Sequence, residues 1–301
     1  MELRIPNVLL LGNGINRRFG DMSWEQLLAN ISCRGITADE VKAIDCPSPL
    51  KAVYLSEDNV SGSIKKMCAG KSYTIISNEE ADLIREYLSI GFDDIMTSNY
   101  SYEIELSALN TDRIKENRLA RLAEHTNEVK RCESKYMLHT YYPLSFGEKH
   151  SRIWHIHGEY RKPDSMVLGH YYYASLLGRL TEINRSRKNS YSLRAKYDTA
   201  PKLSSWFDSF IWGNVYVVGF GFALSETDMW WLINRKKRET APKGKLYFYN
   251  TYDENDENSS ITVELLRIMG AEVIDIPVRD NNWVAAYKTV CSDIKKRMKG
   301  E

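Results

Sequence analysis

The apolar positions of this chain fall into two kinds of run. In Val8-Leu9-Leu10-Leu11 every position is apolar, the pattern of a strand covered on both faces of a parallel sheet. The run predicts a strand over 7–11, ended by Gly12 and Gly14. Trp24, Leu27, Leu28 and Ile31 recur instead at helical spacing and predict a helix opening at Ser23, a suitable N-cap. Residues 32–78 hold no sustained period and read as short helices and loops. A helix over 79–90 opens at Asn78 and stops at Gly91. A second strand is expected over 94–98, then a mostly charged helix from Tyr102 toward Lys130.

A third strand over 152–157 ends at Gly158, followed by a short strand over 166–168 and a helix over 171–180. Residues 184–196 hold Arg185, Arg187, Lys188, Arg194 and Lys196 with no apolar period, and read as an exposed basic loop. The last third alternates: strands over 215–218, 245–249 and 272–276, and helices over 226–235, 261–269 and 283–298. Such alternation predicts parallel strands joined by right-handed crossovers. The class expected is therefore α/β, a Rossmann-like parallel sheet flanked by helices with a helical insertion module. One domain spans 1–301, with helical or irregular insertions near 32–90 and 110–150 and the basic loop near 184–197.

Composition narrows the function classes only modestly. The 301 residues are 43% hydrophobic and 27% charged, with a formal net charge of +1, which is ordinary for a soluble domain. The near-zero charge gives no global argument for nucleic acid or membrane as partner. No run approaches the ~20 apolar residues of a membrane span. The N-terminus leads straight into a strand without a signal-peptide core, so a cytoplasmic location is expected. The five cysteines are odd in number and far apart, with no C-x-x-C pair. They suggest neither a disulfide framework nor a paired-cysteine zinc site, and no metal is expected.

Candidate chemistry gathers at four predicted strand ends: 12–16, 97–100, 157–158 and 219–228. Ligands of open parallel sheets bind beyond the carboxyl ends of the strands, where strand order reverses. The turn Gly12-Asn13-Gly14 lets backbone approach a phosphate, although position 17 is Arg17, so the full G-x-G-x-x-G is absent; a plain tight turn is the alternative. Asn99 can orient a ribose, a carboxamide or a water, or close an Asx-turn. His157 can take a proton from a hydroxyl or water near neutral pH, with Gly158 leaving room beside it. His155, two residues earlier, is expected to point to the opposite face and reads as structural. Gly219-Phe220-Gly221-Phe222 can grip the other half of a dinucleotide. Ser225 or Thr227 can cap the next helix, and Asp228 can bind a ribose or favour the helix N-terminus. Tyr171-Tyr172-Tyr173 reads as half-buried helix surface.

This ordered set, with Ser23-Trp24-x-x-Leu27-Leu28 and Ile156-His157-Gly158-Glu159, resembles the sirtuin-like superfamily over roughly residues 7–278. It looks closest to the sirtuin-like domains of bacterial anti-phage defence systems. The resemblance implies that the Gly-x-Gly turn contacts NAD phosphates, Asn99 holds the ribose and positions water, and His157 is the catalytic histidine. The cofactor-binding set it implies is Gly12, Asn13, Gly14, Asn16, Tyr100, Gly219, Gly221 and Asp228. NAD is then substrate, and the activity expected is hydrolysis of the nicotinamide–ribose bond in abortive-infection defence. Two alternatives stay open. An NAD-dependent protein deacylase is one, although the four-cysteine zinc module of deacylating sirtuins is missing. The other is a regulatory subunit that binds NAD or a related nucleotide without cleaving it, since Ser101 stands where many defence relatives carry Asp. By the same analogy, a homo-oligomer or a complex with a DNA-translocase-like ATPase is expected, with nucleic acid a weaker partner and no membrane.

Overall fold

A computed structural model describes residues 5–20, 22–69, 73–110, 113–115, 124–125, 137–197, 204–240, 243–253 and 260–300. In chain order the strands are β1 Asn7–Leu11, β2 Tyr73–Ile75, β3 Asp94–Thr97, β4 Arg113–Lys115, β5 Glu124–His125, β6 Thr140–Phe146, β7 Lys149–His155, β8 Asn214–Val218, β9 Leu246–Asp253 and β10 Glu272–Val278. The helices are α1 Trp24–Ile31, α2 Ala38–Ala43, α3 Ser48–Leu55, α4 Val60–Ala69, α5 Asn78–Leu88, α6 Glu103–Ala108, α7 His170–Tyr197, α8 Trp206–Trp212, α9 Thr227–Lys237, α10 Ile261–Ile268 and α11 Trp283–Lys299.

The main sheet runs β10-β9-β8-β1-β3-β7-β6-β5. The strands from β10 to β7 are mutually parallel, and β6 closes against β7 antiparallel. Numbered along the chain, those parallel strands stand in the order 6-5-4-1-2-3, that of the Rossmann fold read from its other edge. The switch point lies between β1 and β8, which pair in register Leu11↔Val218.

Alternate residues of the apolar strands supply both faces. Leu9, Leu11, Ile95, Ile153 and Val218 pack against α5, α6 and α11 through Tyr87, Leu106 and Val290. Val8, Leu10, Met96, Trp154 and Val217 pack against α7 to α10 through Leu180, Phe210, Leu232 and Leu266. A third cluster joins α1, α3 and α4 to Tyr100, Met166 and Leu168. This helical module's α2, α3 and α4 come from the segment whose sequence lacks a long period. Its first helix opens as expected: the Ser23 side chain accepts from Gln26 N, and Gln26 reciprocates in a capping box.

Several elements depart from the sequence reading. The expected helix from Tyr102 toward Lys130 ends with α6, where Asn110 turns to φ 52°; Asn is among the side chains that tolerate this left-handed backbone. Arg113–Lys115 is strand, paired antiparallel with β2, and the remainder of that expected helix lies largely outside the described residues. The expected basic loop is the continuation of α7. No Gly or Pro interrupts 179–197, and its Arg and Lys residues are good helix formers, so the absence of an apolar stripe does not by itself mark a loop. Residues 166–168 join no strand; Val167 N donates to His157 O at 2.8 Å, and the three side chains are buried. Ser77, not Asn78, caps α5. Strand β6 has no counterpart in the sequence reading. Among the described residues no helix is long and apolar enough to cross a membrane.

Candidate functional site

The turns after β1 and β8 interlock at the switch point. Gly12 N donates to Val218 O at 2.9 Å and Gly14 N donates to Gly219 O at 2.8 Å. A Cβ on Gly12 would collide with Gly219 O and lie 2.6 Å from Phe220 Cα; one on Gly14 would lie 2.8 Å from Gly219 O. Gly219 itself holds φ 65°. These glycines therefore let two backbones touch. The Gly14 amide, expected to meet phosphate, is committed to Gly219. A Cβ on Gly221 would meet nothing within 4 Å, so Gly221 is the glycine with open space before it. Gly158 does not leave room for a ligand as expected: at φ 88° its missing Cβ makes way for the Ser165 carbonyl.

A cleft of about 580 Å³ opens over this interlock, within the size range of small-molecule sites. Asn13, Gly14, Asn99, Tyr100, His157, Gly219 and Gly221 line it, bringing together most of the residues singled out from sequence. Gly12 and Asn16 do not line the cleft. Gly12 sits in the interlock, and Asn16 is 1% exposed beneath the turn.

Asp228 lies in the first turn of α9, one of its two expected places, and does not line the cleft. It is fully buried behind the wall, and its Oδ2 lies 2.8 Å from His157 Nε2. With Nε2 taken, Nδ1 is the ring nitrogen left for an occupant. Burial pulls the proton affinity of His157 down, but the Asp228 carboxylate, its hydrogen bond and then Glu226 carry it above the ordinary value. The edge of Tyr173 meets the imidazole at a centroid distance of 5.6 Å, so this tyrosine belongs to the site rather than to half-buried helix surface.

Asn99 is held by its backbone. Its amide donates to Thr97 Oγ1 at 3.0 Å, and its carbonyl faces His155 Nδ1 at 2.9 Å. The carboxamide has no partner among the described residues. His155 Nε2 meets Glu105 Oε1 at 2.9 Å. Both its neighbours accept, which requires an imidazolium; burial opposes that charge, yet Glu105, its hydrogen bond and Glu159 raise the pKa to about 9. His155 is thus a satisfied, buried residue turned toward α6 and away from His157. Residues two apart in a strand share a face, so the separation does not come from the strand period: β7 ends at His155 and the chain turns before His157. Tyr100 lines the cleft with its hydroxyl bonded to Val167 O at 3.1 Å.

Among the cleft residues that escaped the sequence reading are Arg17, Arg18 and Glu226. Arg17 and Arg18 follow the first turn on a short 3-10 helix. The Arg18 guanidinium stacks 3.3 Å from the centre of Trp283. Glu226 stands at the N-cap of α9, where no side-chain cap bond forms, so neither Ser225 nor Thr227 caps the helix. Its Oε2 instead accepts from Ala223 N at 2.9 Å. Burial raises its pKa to about 7, with His157 and the Ala223 amide pulling down and Asp228 pushing up. The consecutive arginines after the glycine turn were the one available signal; Glu226 carried none, because an acid at a helix start is common.

The cleft is electrically polarised. Its lining acids are Glu25 and Glu226, and its lining cations other than histidine are Arg17 and Arg18. Asn13 Nδ2 donates to Met22 O at 3.0 Å, while Asn13 Oδ1 and Trp24 Nε1 are buried with no partner among the described residues. Phe222, behind the second turn, is fully buried at φ 46°, a backbone state that costs a bulky side chain energy and clusters at functional sites. Among the described residues no group of three or more His, Cys, Asp and Glu side chains is placed to hold a metal. No protein-family model matches the chain, and no match to it was found among curated proteins.

Proposed function

We propose that this protein hydrolyses the bond between nicotinamide and ribose in NAD, as an effector of anti-phage defence. The observation that carries the reading is the buried His157–Asp228 hydrogen bond of 2.8 Å, set in the wall of a cleft at the switch point of a Rossmann-ordered sheet. Asn13 Oδ1 and Trp24 Nε1, which find no partner among the described residues, support an occupant, since buried polar atoms without partners are uncommon. Arg17 and Arg18 suit a pyrophosphate.

The reaction needs little acid catalysis at the leaving group. As C1′–N parts, the electron pair enters the nicotinamide ring and discharges it, and positive character passes to the ribose in an oxocarbenium-like state. Water then attacks C1′. The Asn99 carboxamide orients ribose and water. His157 Nδ1 takes the proton from water or a ribose hydroxyl, while Nε2–H donates to Asp228, which orients the ring and stabilises the imidazolium. The proton leaves to solvent, and nicotinamide and ADP-ribose remain.

An enzyme that depletes NAD harms its own cell, so the same reading includes control by assembly, either with further copies of this chain or with a DNA-translocase-like ATPase. Light scattering on the purified protein checks this: the reading expects latent activity in a monomer or an oligomeric active form, and a monomer with full constitutive turnover contradicts it. The activity itself is tested by product identification after incubation with NAD. Free nicotinamide with ADP-ribose is the expected pair, and acyl-ADP-ribose formed only with an acylated peptide would replace this reading with deacylation.

A further inference from the structure

We infer that Glu226 is the residue by which the cleft selects the oxidised dinucleotide, whose nicotinamide ring is a cation, over the reduced form, whose ring is neutral. The inference rests on the reading that the scissile bond lies beside Asn99 and His157. Glu226 lines the same cleft as both residues. It is also close enough to His157 for each to shift the proton affinity of the other. One carboxylate oxygen, Oε2, is tied to Ala223 N at 2.9 Å, and the Ala223 carbonyl in turn accepts from Trp230 Nε1 at 3.0 Å. The carboxyl is therefore fixed in place by the turn it closes, with Oε1 left over.

The other charges in the cleft lie elsewhere. Arg17 and Arg18 belong to the β1 turn, and Glu25 to the start of α1. The groups that interact with Glu226 are His157 after β7, Tyr100 after β3, Tyr173 on α7, and Asp228 on α9. Burial holds both tyrosines neutral well past ordinary tyrosine pKa values. Asp228 spends its Oδ2 on His157. Glu226 is thus the carboxylate that both faces the cleft and remains available to a cation near His157.

The carboxyl holds a proton up to about pH 7. A cationic ring favours its ionised form, so binding the oxidised dinucleotide releases that proton and tightens as pH rises from 6 to 8; binding of the reduced form lacks this gain. The attraction acts on the ground-state ring, whose charge is discharged as the bond breaks. Loss of Glu226 therefore raises KM more than it lowers kcat.

Carbocyclic NAD in its oxidised and reduced forms serves as the probe, because the ring charge is kept while the glycosidic bond is absent. Binding of each form is measured calorimetrically at pH 6 and pH 8 for the wild type and for Glu226→Gln, whose amide oxygen can still accept from Ala223 N. The wild type should prefer the oxidised form by about tenfold at pH 8, with the preference shrinking at pH 6, and Glu226→Gln should lose the preference. Equal binding of both forms by the wild type, a preference that does not shrink at pH 6, or a preference kept by Glu226→Gln, overturns the inference and leaves the dinucleotide reading standing. Failure of both forms to bind overturns the dinucleotide reading and the inference with it. The wild-type pH series needs no variant, so a poorly folded Glu226→Gln does not rescue the claim.

Discussion

At the scale of single residues, the site depends on what stands behind the side chains that face the cleft. His157 alone is an ordinary imidazole; with Asp228 at Nε2 it becomes a ring of fixed tautomer and raised basicity. Replacing Asp228 with Asn keeps a polar partner but removes the charge. Turnover should fall by roughly a hundredfold, within the range for general acid–base groups. The acid limb of the pH–rate profile should also move to lower pH, because the loss of a neighbouring carboxylate lowers the His157 pKa. A profile with an unmoved acid limb would contradict the pairing. The sequence offered Asn99 and His157 through their positions at strand ends. It did not offer their supports. Asp228 lies 71 residues from His157 and reads locally as a helix-start acid, and the Glu105–His155–Asn99 chain joins residues 50 and 56 positions apart. Only tertiary packing reveals such pairs.

At the scale of elements, the glycines divide into two kinds. Gly12, Gly14 and Gly219 permit two turns to touch, whereas Gly221 borders open space. Gly12→Ala should destabilise the fold by about 1–3 kcal/mol or more, since the obstructing atoms are backbone and cannot swing aside. Gly221→Ala should fold with wild-type or slightly higher stability. Thermal unfolding of both variants distinguishes these outcomes, and equal melting temperatures would refute the interlock. The elements themselves were largely readable. Continuous apolar runs located β1 and β8, and Ser23 with the helical spacing of Trp24, Leu27, Leu28 and Ile31 located α1. What periodicity missed has physical causes. In β6 the buried Thr140, Tyr142 and Leu144 alternate with Tyr141, Pro143 and Ser145, a signal partly hidden by a proline next to the edge of the sheet. The far half of α7 lacks an apolar stripe, so a hydrophobic pattern cannot report it.

At the scale of the whole molecule, a buried charge couples the fold to pH. His155 has a pKa of about 9, against 6.5 for the free side chain. A histidine raised on folding contributes its full stabilisation below the unfolded value and loses it as pH climbs through the folded one. Denaturant titrations should therefore show stability declining between about pH 6.5 and 9, by on the order of 3 kcal/mol. His155→Gln should flatten that slope, and a wild-type stability that does not fall over this window would contradict the imidazolium. The same sheet order that buries His155 on one side opens the cleft at β1 and β8, and it is the cleft that carries the functional claim. The most direct test is the release of nicotinamide from NAD by the purified protein, followed by mass spectrometry. The account predicts nicotinamide and ADP-ribose in equal amounts from the wild type and neither from a folded His157→Ala; wild-type protein that releases no nicotinamide, or His157→Ala with undiminished turnover, would contradict it.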